Sequence, residues 1–325
     1  AANHAELSLP YFRYRRTQLQ PAMTFCSEVI KKPGAFYGDV ANRKGYMARH
    51  SQIERNCTPG AQIALDFWRH YQFTRDETFF RESAWPVIRE VARFNAANLE
   101  AGEDGFFHVR QTSAYEGSPL FDDTITDLSM IRGLLPVAIE AGKKAGHDAA
   151  ELDAWQQRLK KLAPYRLADL RAGEYEEKNG VTVHKGGIGA GRKLETKSVF
   201  LVGRDKDGHW LRNRYADLTD KGAYYGVPDP ELAVVFPGNV IGLKQKGTEL
   251  FRAAVTQVRV HPTSDVDALP GRSSDMVGRA DHCMGWCPYP IVLARLGLSE
   301  ELAAELVNSV SAWQMYPQGF GHYGP

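Results

Sequence analysis

Glu116 is the carboxylic acid whose neighbours best suit it to proton transfer. It lies in the segment QTSAYEGSPLFDD, among small residues and near Tyr115 and Phe121. A carboxyl group in such a loop is partly desolvated, and desolvation raises its pKa, which suits it to donate a proton to a leaving group. The local sequence by itself favours the other interpretation, an exposed loop glutamate.

An arginine and a histidine stand side by side in the segment GYMARHSQ, inside a long loop from Lys32 to Pro59. Loops of this length within compact domains are uncommon and usually functional. Arg49 and His50 are therefore candidates for binding the hydroxyl groups of a substrate, although a single loop histidine is more often a surface residue.

Further carboxylates that could act together with Glu116 are Asp122, Asp123, Asp127, Asp275 and Asp281. Helix capping and surface roles explain most aspartates at such places. A hydrolase that works by general acid and base catalysis needs two groups flanking the scissile bond, and one that inverts configuration separates its carboxyl groups by roughly 6.5–9.5 Å to admit a water molecule. That distance is not contained in the sequence.

Helical periodicity dominates the elements that must position these groups, and short and long connections alternate between the helices. Long connections are predicted at residues 32–59, 101–123 and 259–287, where they could lie at one end of a barrel. The expected helical segments are 5–30, broken at Pro10 and Pro21, then 60–74, 85–99, 124–142, 149–162, 247–258 and 299–313. Asp123 or Thr124 is expected to cap the fourth segment and Asp148 the fifth. Antiparallel helical pairs indicate an all-α fold, an α/α barrel, and the lack of a fixed sequence period argues against a solenoid.

Residues 170–232 differ from this pattern because glycine and charged residues are frequent and short β-type runs replace helical spacing. The segment VFLVGRDKDGHWL, with Asp-Gly at its centre, predicts a β-hairpin. The expected organisation is one catalytic domain over residues 1–325 with a small β-rich insertion at 170–232. The start AANHAELSLPYF has no initiator Met, and the whole is expected to be a piece of a longer chain.

Composition excludes several classes of partner. The chain has 325 residues, 40 basic and 39 acidic, for a net charge of +1, so neither nucleic acid nor an acidic membrane surface is expected to bind. No apolar run is long enough for a membrane span. The four cysteines, at 26, 57, 283 and 287, lack a second Cys/His pair with zinc-ligand spacing, which favours buried thiols over a zinc site or disulfide scaffold.

Several segments resemble the catalytic domain of glycoside hydrolase family 95. They include NHAEL, GYMARH, the helix pair from PGAQIALDFW to FNAANL, DGFFHVRQTSAYEG and DLSMIRGLLPVAIEA, all within roughly residues 1–170, and then VVFPGN and GWCPYPIVLARLG. The family contains α-L-fucosidases and α-L-galactosidases on an (α/α)6 barrel. The resemblance therefore implies this barrel, a sugar substrate and no metal or organic cofactor.

The resemblance also implies roles for individual residues. The family's general acid lies in a Ser-Pro-Glu stretch that TSAYEG matches, which assigns the acid to Glu116. His50 falls on a sugar-binding histidine, and Arg49 replaces a second one. Asp127 matches an aspartate at the start of a helix, and Asn56 stands where the family has a tryptophan in the pocket.

Two departures from the family pattern concern specificity and the catalytic base. The family has a His-x-x-His arrangement where this chain has Pro228 and Glu231. Glu231 is thus expected to recognise a different hydroxyl pattern or to help activate water, and Trp286 to line the pocket. The family's base-side asparagines and the aspartate that polarises them fall outside this sequence, which leaves Asp275 and Asp281 as the nearest carboxylates.

The resulting expectation is inverting hydrolysis of a terminal α-linked sugar, fucose-like or galactose-like, on an oligosaccharide or polysaccharide. The family further implies a bacterial protein that is secreted or periplasmic. Two alternatives remain at this point, a polysaccharide lyase on an α/α barrel and a non-catalytic carbohydrate-binding protein. The sequence does not determine the oligomeric state.

Overall fold

The computed structural model describes residues 4–47, 55–114, 119–185, 191–212, 230–260 and 288–313, and most of their regular structure is helical. The chain forms two compact units, one from Ala1–Pro164 and Gly203–His209, the other from Tyr165–Val202 and Trp210–Pro325. The expected insertion at 170–232 within a single domain stays a prediction.

The first unit begins with a nearly continuous helical path. A 3-10 turn, Ala5–Ser8, leads into α1 (Leu9–Thr17), then α2 (Leu19–Phe25) and a π-turn, Cys26–Ile30. Both expected prolines lie in first turns, Pro10 in α1 and Pro21 in α2. An amide hydrogen there has no helical partner to lose, so proline begins these pieces instead of disrupting them.

A helical hairpin follows, as predicted. It consists of α3 (Thr58–Thr74), the short α4 (Glu77–Phe79), a π-turn at Phe80–Ala84 and α5 (Trp85–Ala97). The Asp76 carboxylate caps α4 by accepting from two backbone amides. Apolar residues at helical spacing form a buried stripe on each of the two long helices: Ala61, Leu65, Trp68 and Tyr71 on α3, and Ile88, Val91 and Ala92 on α5.

Helices α6 (Ile125–Ala145) and α7 (Ala149–Lys160) complete this unit. Of the two residues expected to cap α6, Thr124 is the cap, because its hydroxyl accepts from the backbone amide of Asp127. Asp148 caps α7 as predicted. Helix α6 packs against α3, α5 and α7, so apolar residues cover most of its circumference, as a helix buried on several sides requires.

Two short strand pairs lie between α5 and α6 in the described part of this unit. Strand β1 (Glu100–Ala101) pairs with β2 (Phe107–His108), and β3 (Thr112–Ser113) pairs with β4 (Leu120–Phe121), both antiparallel. Asp122 bridges to Arg204 of a further strand, Gly203–Arg204, which is β9 in chain order.

Among its described residues, the second unit contains the other strands and three helices. Strand β5 (Leu167–Asp169) pairs with β8 (Ser198–Phe200), and β6 (Tyr175–Lys178) with β7 (Val181–His184). Strand β10 is Trp210–Leu211, and the helices are α8 (Glu249–Arg259), α9 (Tyr289–Leu296) and α10 (Ser299–Trp313). Two 3-10 turns, Pro230–Val234 and Leu243–Gln245, precede α8. Helix α9 was not predicted.

The expected Asp-Gly turn follows β9 in the first unit. The amide of Asp205 donates to the carbonyl of His209, and Gly208 adopts a positive φ of 88°. Among the helices of the described ranges, none is both long and apolar enough to cross a membrane.

Candidate functional site

The residues proposed from sequence are described to different extents. Asn56 and Asp127 belong to the first unit and Glu231 to the second. The remaining candidates lie outside the described residues: Glu116, Arg49, His50, Trp286, Asp275 and Asp281.

The described residues on either side of Glu116 form a short two-stranded stem, β3 and β4. Thr112 pairs with Phe121 and Ser113 with Leu120, and residues 112–114 are buried. Residues 115–118 join Ala114 to Pro119 in the chain. Whatever holds β3 and β4 therefore fixes the positions of Ala114 and Pro119, the described neighbours of the segment with Glu116.

Asp122 fastens the base of this stem through four hydrogen bonds. One carboxylate oxygen accepts from the backbone amide and the side-chain amide of Gln111, at 3.1 and 3.0 Å, and the other from Arg110 at 2.8 Å and Arg204 at 3.3 Å. Burial opposes ionisation, but these donors outweigh it and hold the pKa of Asp122 below its usual value. Asp122 does not cap a helix; its donors come from the preceding loop and from β9.

Asp123 fastens the same base on the other side, and it too is neither a helix cap nor a surface residue. Its side chain is buried, and its oxygens accept from the amide of Val109 at 3.1 Å and bind His108 Nδ1 at 2.7 Å. Its own amide donates to the carbonyl of Val109 at 2.8 Å. The other ring nitrogen of His108, Nε2, lies 2.9 Å from an Asp104 oxygen.

Asp127 is a buried carboxyl group at the N-terminal end of α6. Its amide and one carboxylate oxygen both bind the hydroxyl of Thr124, at 3.2 and 2.7 Å. Its other oxygen, Oδ1, has no hydrogen-bond partner within the described part of the chain, and the nearby hydroxyl of Thr112 is likewise unsatisfied there. Burial raises the pKa of Asp127 to about 6, while the Thr112 and Thr124 hydroxyls act in the opposite direction.

Asn56 immediately precedes α3 and is held by protein groups. Its amide nitrogen donates to both oxygens of Asp39, at 2.9 and 3.0 Å, and its carbonyl oxygen accepts from the amide and hydroxyl of Thr58. This arrangement positions the first turn of α3. A role for Asn56 in sugar binding stays a prediction.

The N-terminal ends of α3 and α6 lie at the same end of the first unit. Burial raises the pKa of the Cys57 thiol, and the negative charge of Asp127 raises it further, so these two groups are electrostatic neighbours. Helix N-termini carry partial positive charge. This end of the unit thus combines two helix N-termini, the buried Asp127 and the stem of the segment with Glu116.

The first two cysteines are free and buried thiols, as predicted. Cys26 and Cys57 belong to one apolar cluster with Phe36 and Phe94. Across the described ranges, no group of three or more His, Cys, Asp or Glu side chains is placed to hold a metal ion.

Glu231 lies in the 3-10 turn Pro230–Val234 of the second unit, with only 1% of its surface exposed. Buried carboxyl groups are rare and are generally bonded. Its role in recognising a sugar or activating water remains a prediction.

Comparison with known proteins identifies the family of this chain. The model of the glycosyl hydrolase family 95 catalytic domain matches residues 1–178, a range that contains both helix N-termini, Asp127 and the whole β3–β4 segment. The chain belongs to this family.

Beyond its own family, this family 95 domain is similar to two further proteins. It is 24% identical over 121 residues to kojibiose hydrolase of Flavobacterium johnsoniae, covering 34% of this chain and 17% of that protein. A solved structure of a putative kojibiose phosphorylase from human microbiome shares 14% identity, with a TM-score of 0.44, over 49% of this chain and 25% of that one. The chain thus matches only a small part of the length of these relatives.

The contacts of His108 were missed by sequence reasoning. The histidine is 15 residues from Asp123 and four from Asp104, and no local pattern links the three. The sequence signal that could have indicated a partner for the histidine was the acidic pair Asp122–Asp123, directly after a loop with glycine and proline.

Proposed function

We propose that this family 95 domain is a glycosidase that hydrolyses a terminal α-linked sugar of an oligosaccharide or polysaccharide with inversion at the anomeric carbon. The observation that carries the proposal is the family match, which includes the segment with Glu116. Two strands fastened at their base by Asp122 and Asp123 support it further, because general acid catalysis requires a donor held at a fixed place.

In this mechanism Glu116 protonates the departing oxygen while a water molecule attacks the opposite face of the sugar. Arg49, His50 and Trp286 bind the sugar from loops, and Asn56, Asp127 and Glu231 complete or support the pocket. The architecture proposed for the catalytic domain is an (α/α)6 barrel. It requires that the antiparallel helices of the first unit continue around a closed ring.

The sugar is proposed to be fucose-like or galactose-like, in keeping with the family. The name of the relative in Flavobacterium johnsoniae makes kojibiose a second substrate to test. The buried Glu231, in place of a histidine that the family pattern suggests, favours a hydroxyl pattern other than that of fucose. We also propose a secreted or periplasmic location, which fractionation of the source cells would test.

The decisive experiment compares the protein with Glu116→Gln on aryl α-L-fucoside, α-L-galactoside and α-L-rhamnoside and on kojibiose. Loss of a general acid lowers kcat by about 10²–10⁴-fold. The matched control is Glu103→Gln, an exposed glutamate in the neighbouring β1–β2 turn, which should leave kcat unchanged. NMR of the first product formed should show the β-anomer. Full activity of Glu116→Gln on the best substrate would refute the assignment of the acid.

A further inference from the structure

His108 is held between two carboxylates in a way that only its protonated form can satisfy. Nδ1 lies 2.7 Å from an oxygen of Asp123, and Nε2 lies 2.9 Å from an oxygen of Asp104. Ionised carboxylates accept hydrogen bonds and cannot donate them, and a neutral imidazole has only one N–H. The imidazolium donates on both sides, whereas the neutral ring leaves a lone pair facing an oxygen.

The two carboxylates belong to different parts of the segment that surrounds Glu116. Asp104 lies in the turn between β1 and β2, where it also accepts from the amide of Phe106 at 3.1 Å. Asp123 follows β4 and forms two hydrogen bonds with Val109. Its carboxylate accepts from the Val109 amide, and its own amide donates to the Val109 carbonyl. The histidine therefore ties the β1–β2 turn to the point where the β3–β4 segment returns to α6.

Resting on the proposed role of Glu116, we propose that His108 is a positioning residue whose imidazolium, bridging Asp104 and Asp123, holds strands β3 and β4, the described residues on either side of Glu116 in the chain. The stem residues 112–113 and 120–121 lie between the two ends that this bridge fixes. Loss of the bridge displaces the ends of the segment and with them the proton donor. A displacement of about 1 Å is enough to lower a rate roughly 100-fold.

The charged groups around the ring determine when the bridge exists. Burial lowers the pKa of His108, but the hydrogen bonds to Asp104 and Asp123 and the charge of Asp123 outweigh it, so the pKa lies above its usual value. Arg110, which is ion-paired with Asp122, acts in the lowering direction. The bridge is complete while His108 is protonated and is lost as the pH rises through the raised pKa of His108.

Three variants break the bridge in different ways. His108→Gln removes the second donor and the charge. Gly102→Ala leaves all charges in place, but a Cβ there would lie 2.6 Å from Nε2 of His108 and 2.7 Å from Oδ1 of Asp104, which forces them apart. Asp123→Asn keeps an acceptor for the Val109 amide and offers its NH2 to Nδ1 of a neutral His108, so that the bridge no longer needs the second proton.

Steady-state kinetics across pH test the proposal on the best aryl glycoside from the substrate screen. We expect His108→Gln and Gly102→Ala to lower kcat by about 10–100-fold while KM changes by less than about threefold. The alkaline limb of kcat for the unaltered protein should follow the loss of two protons, and that of His108→Gln the loss of one. Asp123→Asn should retain more activity than His108→Gln at alkaline pH, because its bridge forms with the neutral ring.

The matched control is His209→Gln, since this histidine has a side chain 75% exposed and lies near Asp205 in the turn that follows β9. Its kcat and alkaline limb should match those of the unaltered protein. Hydrogen exchange of the Val109 amide gives a second readout that does not depend on catalysis. It should be faster in His108→Gln than in His209→Gln at pH 6, and the difference should shrink as the pH is raised.

The outcomes separate this inference from the proposed function. If His108→Gln retains the kcat and the two-proton alkaline limb of the control, the positioning role is overturned even where Glu116→Gln is inactive. If Glu116→Gln is fully active, the proposed function fails, and the positioning role fails with it, even where exchange at Val109 has accelerated. If His108→Gln does not fold, the test uses Asp123→Asn instead. If the alkaline limb of kcat for Asp123→Asn is identical to that of the unaltered protein, the positioning role is overturned.

Discussion

Replacing Asp127 with asparagine tests whether a carboxyl group is kept at the start of α6 at the expense of stability. Asp127 is 1% exposed, and its Oδ1 has no hydrogen-bond partner in the part of the chain that is described. An asparagine there could still accept from Thr124, and its NH2 could donate to the unsatisfied hydroxyl of Thr112. The substitution removes a buried charge and satisfies two buried polar atoms at once.

The magnitude follows from the pKa of the buried group. Burial raises the pKa of Asp127 from 3.8 to about 6. Because the folded state holds this proton more tightly than the unfolded state, the stabilising contribution is complete below pH 3.8 and is lost as the pH rises through 6. The difference corresponds to about 3 kcal/mol in the free energy of unfolding. At pH 8 the asparagine variant should therefore be more stable than the original protein, by up to that amount.

Urea unfolding at a series of pH values between 3.5 and 8 measures this directly. The stability gained by Asp127→Asn should be near zero at the acid end and increase between about pH 4 and 6.5. The control is Asp153→Asn, an exposed position on α7, whose profile should run parallel to that of the original protein. A stability difference for Asp127→Asn that stays flat across this range, or a variant less stable at pH 8, would refute the reasoning. A gain in stability together with lost turnover would support a functional role for the charge.

Two other predictions concern the core around the first helices. Gly34→Ala should destabilise the protein by more than about 3 kcal/mol in urea unfolding, because a Cβ at this φ of +94° would lie 2.3 Å from the backbone nitrogen of Phe94. The control is Gly173→Ala, which has a φ of +101° and open space around it and should show only the backbone strain of about 1–2 kcal/mol. Similar losses of stability for the two variants would contradict this. Burial raises the pKa of the Cys26 thiol to about 12 and that of Cys57 well above its usual value. Because iodoacetamide alkylates the thiolate, peptide mapping after treatment at pH 8 should find both cysteines unmodified in the folded protein and modified in urea. Rapid alkylation of either thiol in the folded state would mean that the cluster opens.

The helices of the first unit could be predicted because their signals are local. The caps Thr124 and Asp148 stand immediately before their helices, and each binds an amide two or three residues away. The apolar stripes of α3 and α5 repeat at the helical period, so that their buried faces could be named in advance. Family motifs added the segment with Glu116, which local sequence alone would have left as a surface loop.

Other elements carried too little local information. Strands β1 to β4 have two residues each, which is too short for any alternation of apolar and polar residues. Helix α9 has eight residues and a proline in its first turn, and a short apolar run of this kind does not distinguish a helix from a strand. Chain length and spacing therefore gave no basis for placing these elements.

By itself the amino-acid order established the helical periods, the caps and the identity of the groups able to exchange a proton, since each depends on residues a few positions apart. Only the folded chain decided the surroundings of those groups. The Asp122 carboxylate meets Arg204 across 82 positions, and Asp127 loses its water because α3 and α6 come together around it. Charge state and hydrogen bonding are set by burial and by distant partners, and neither exists until the helices have packed.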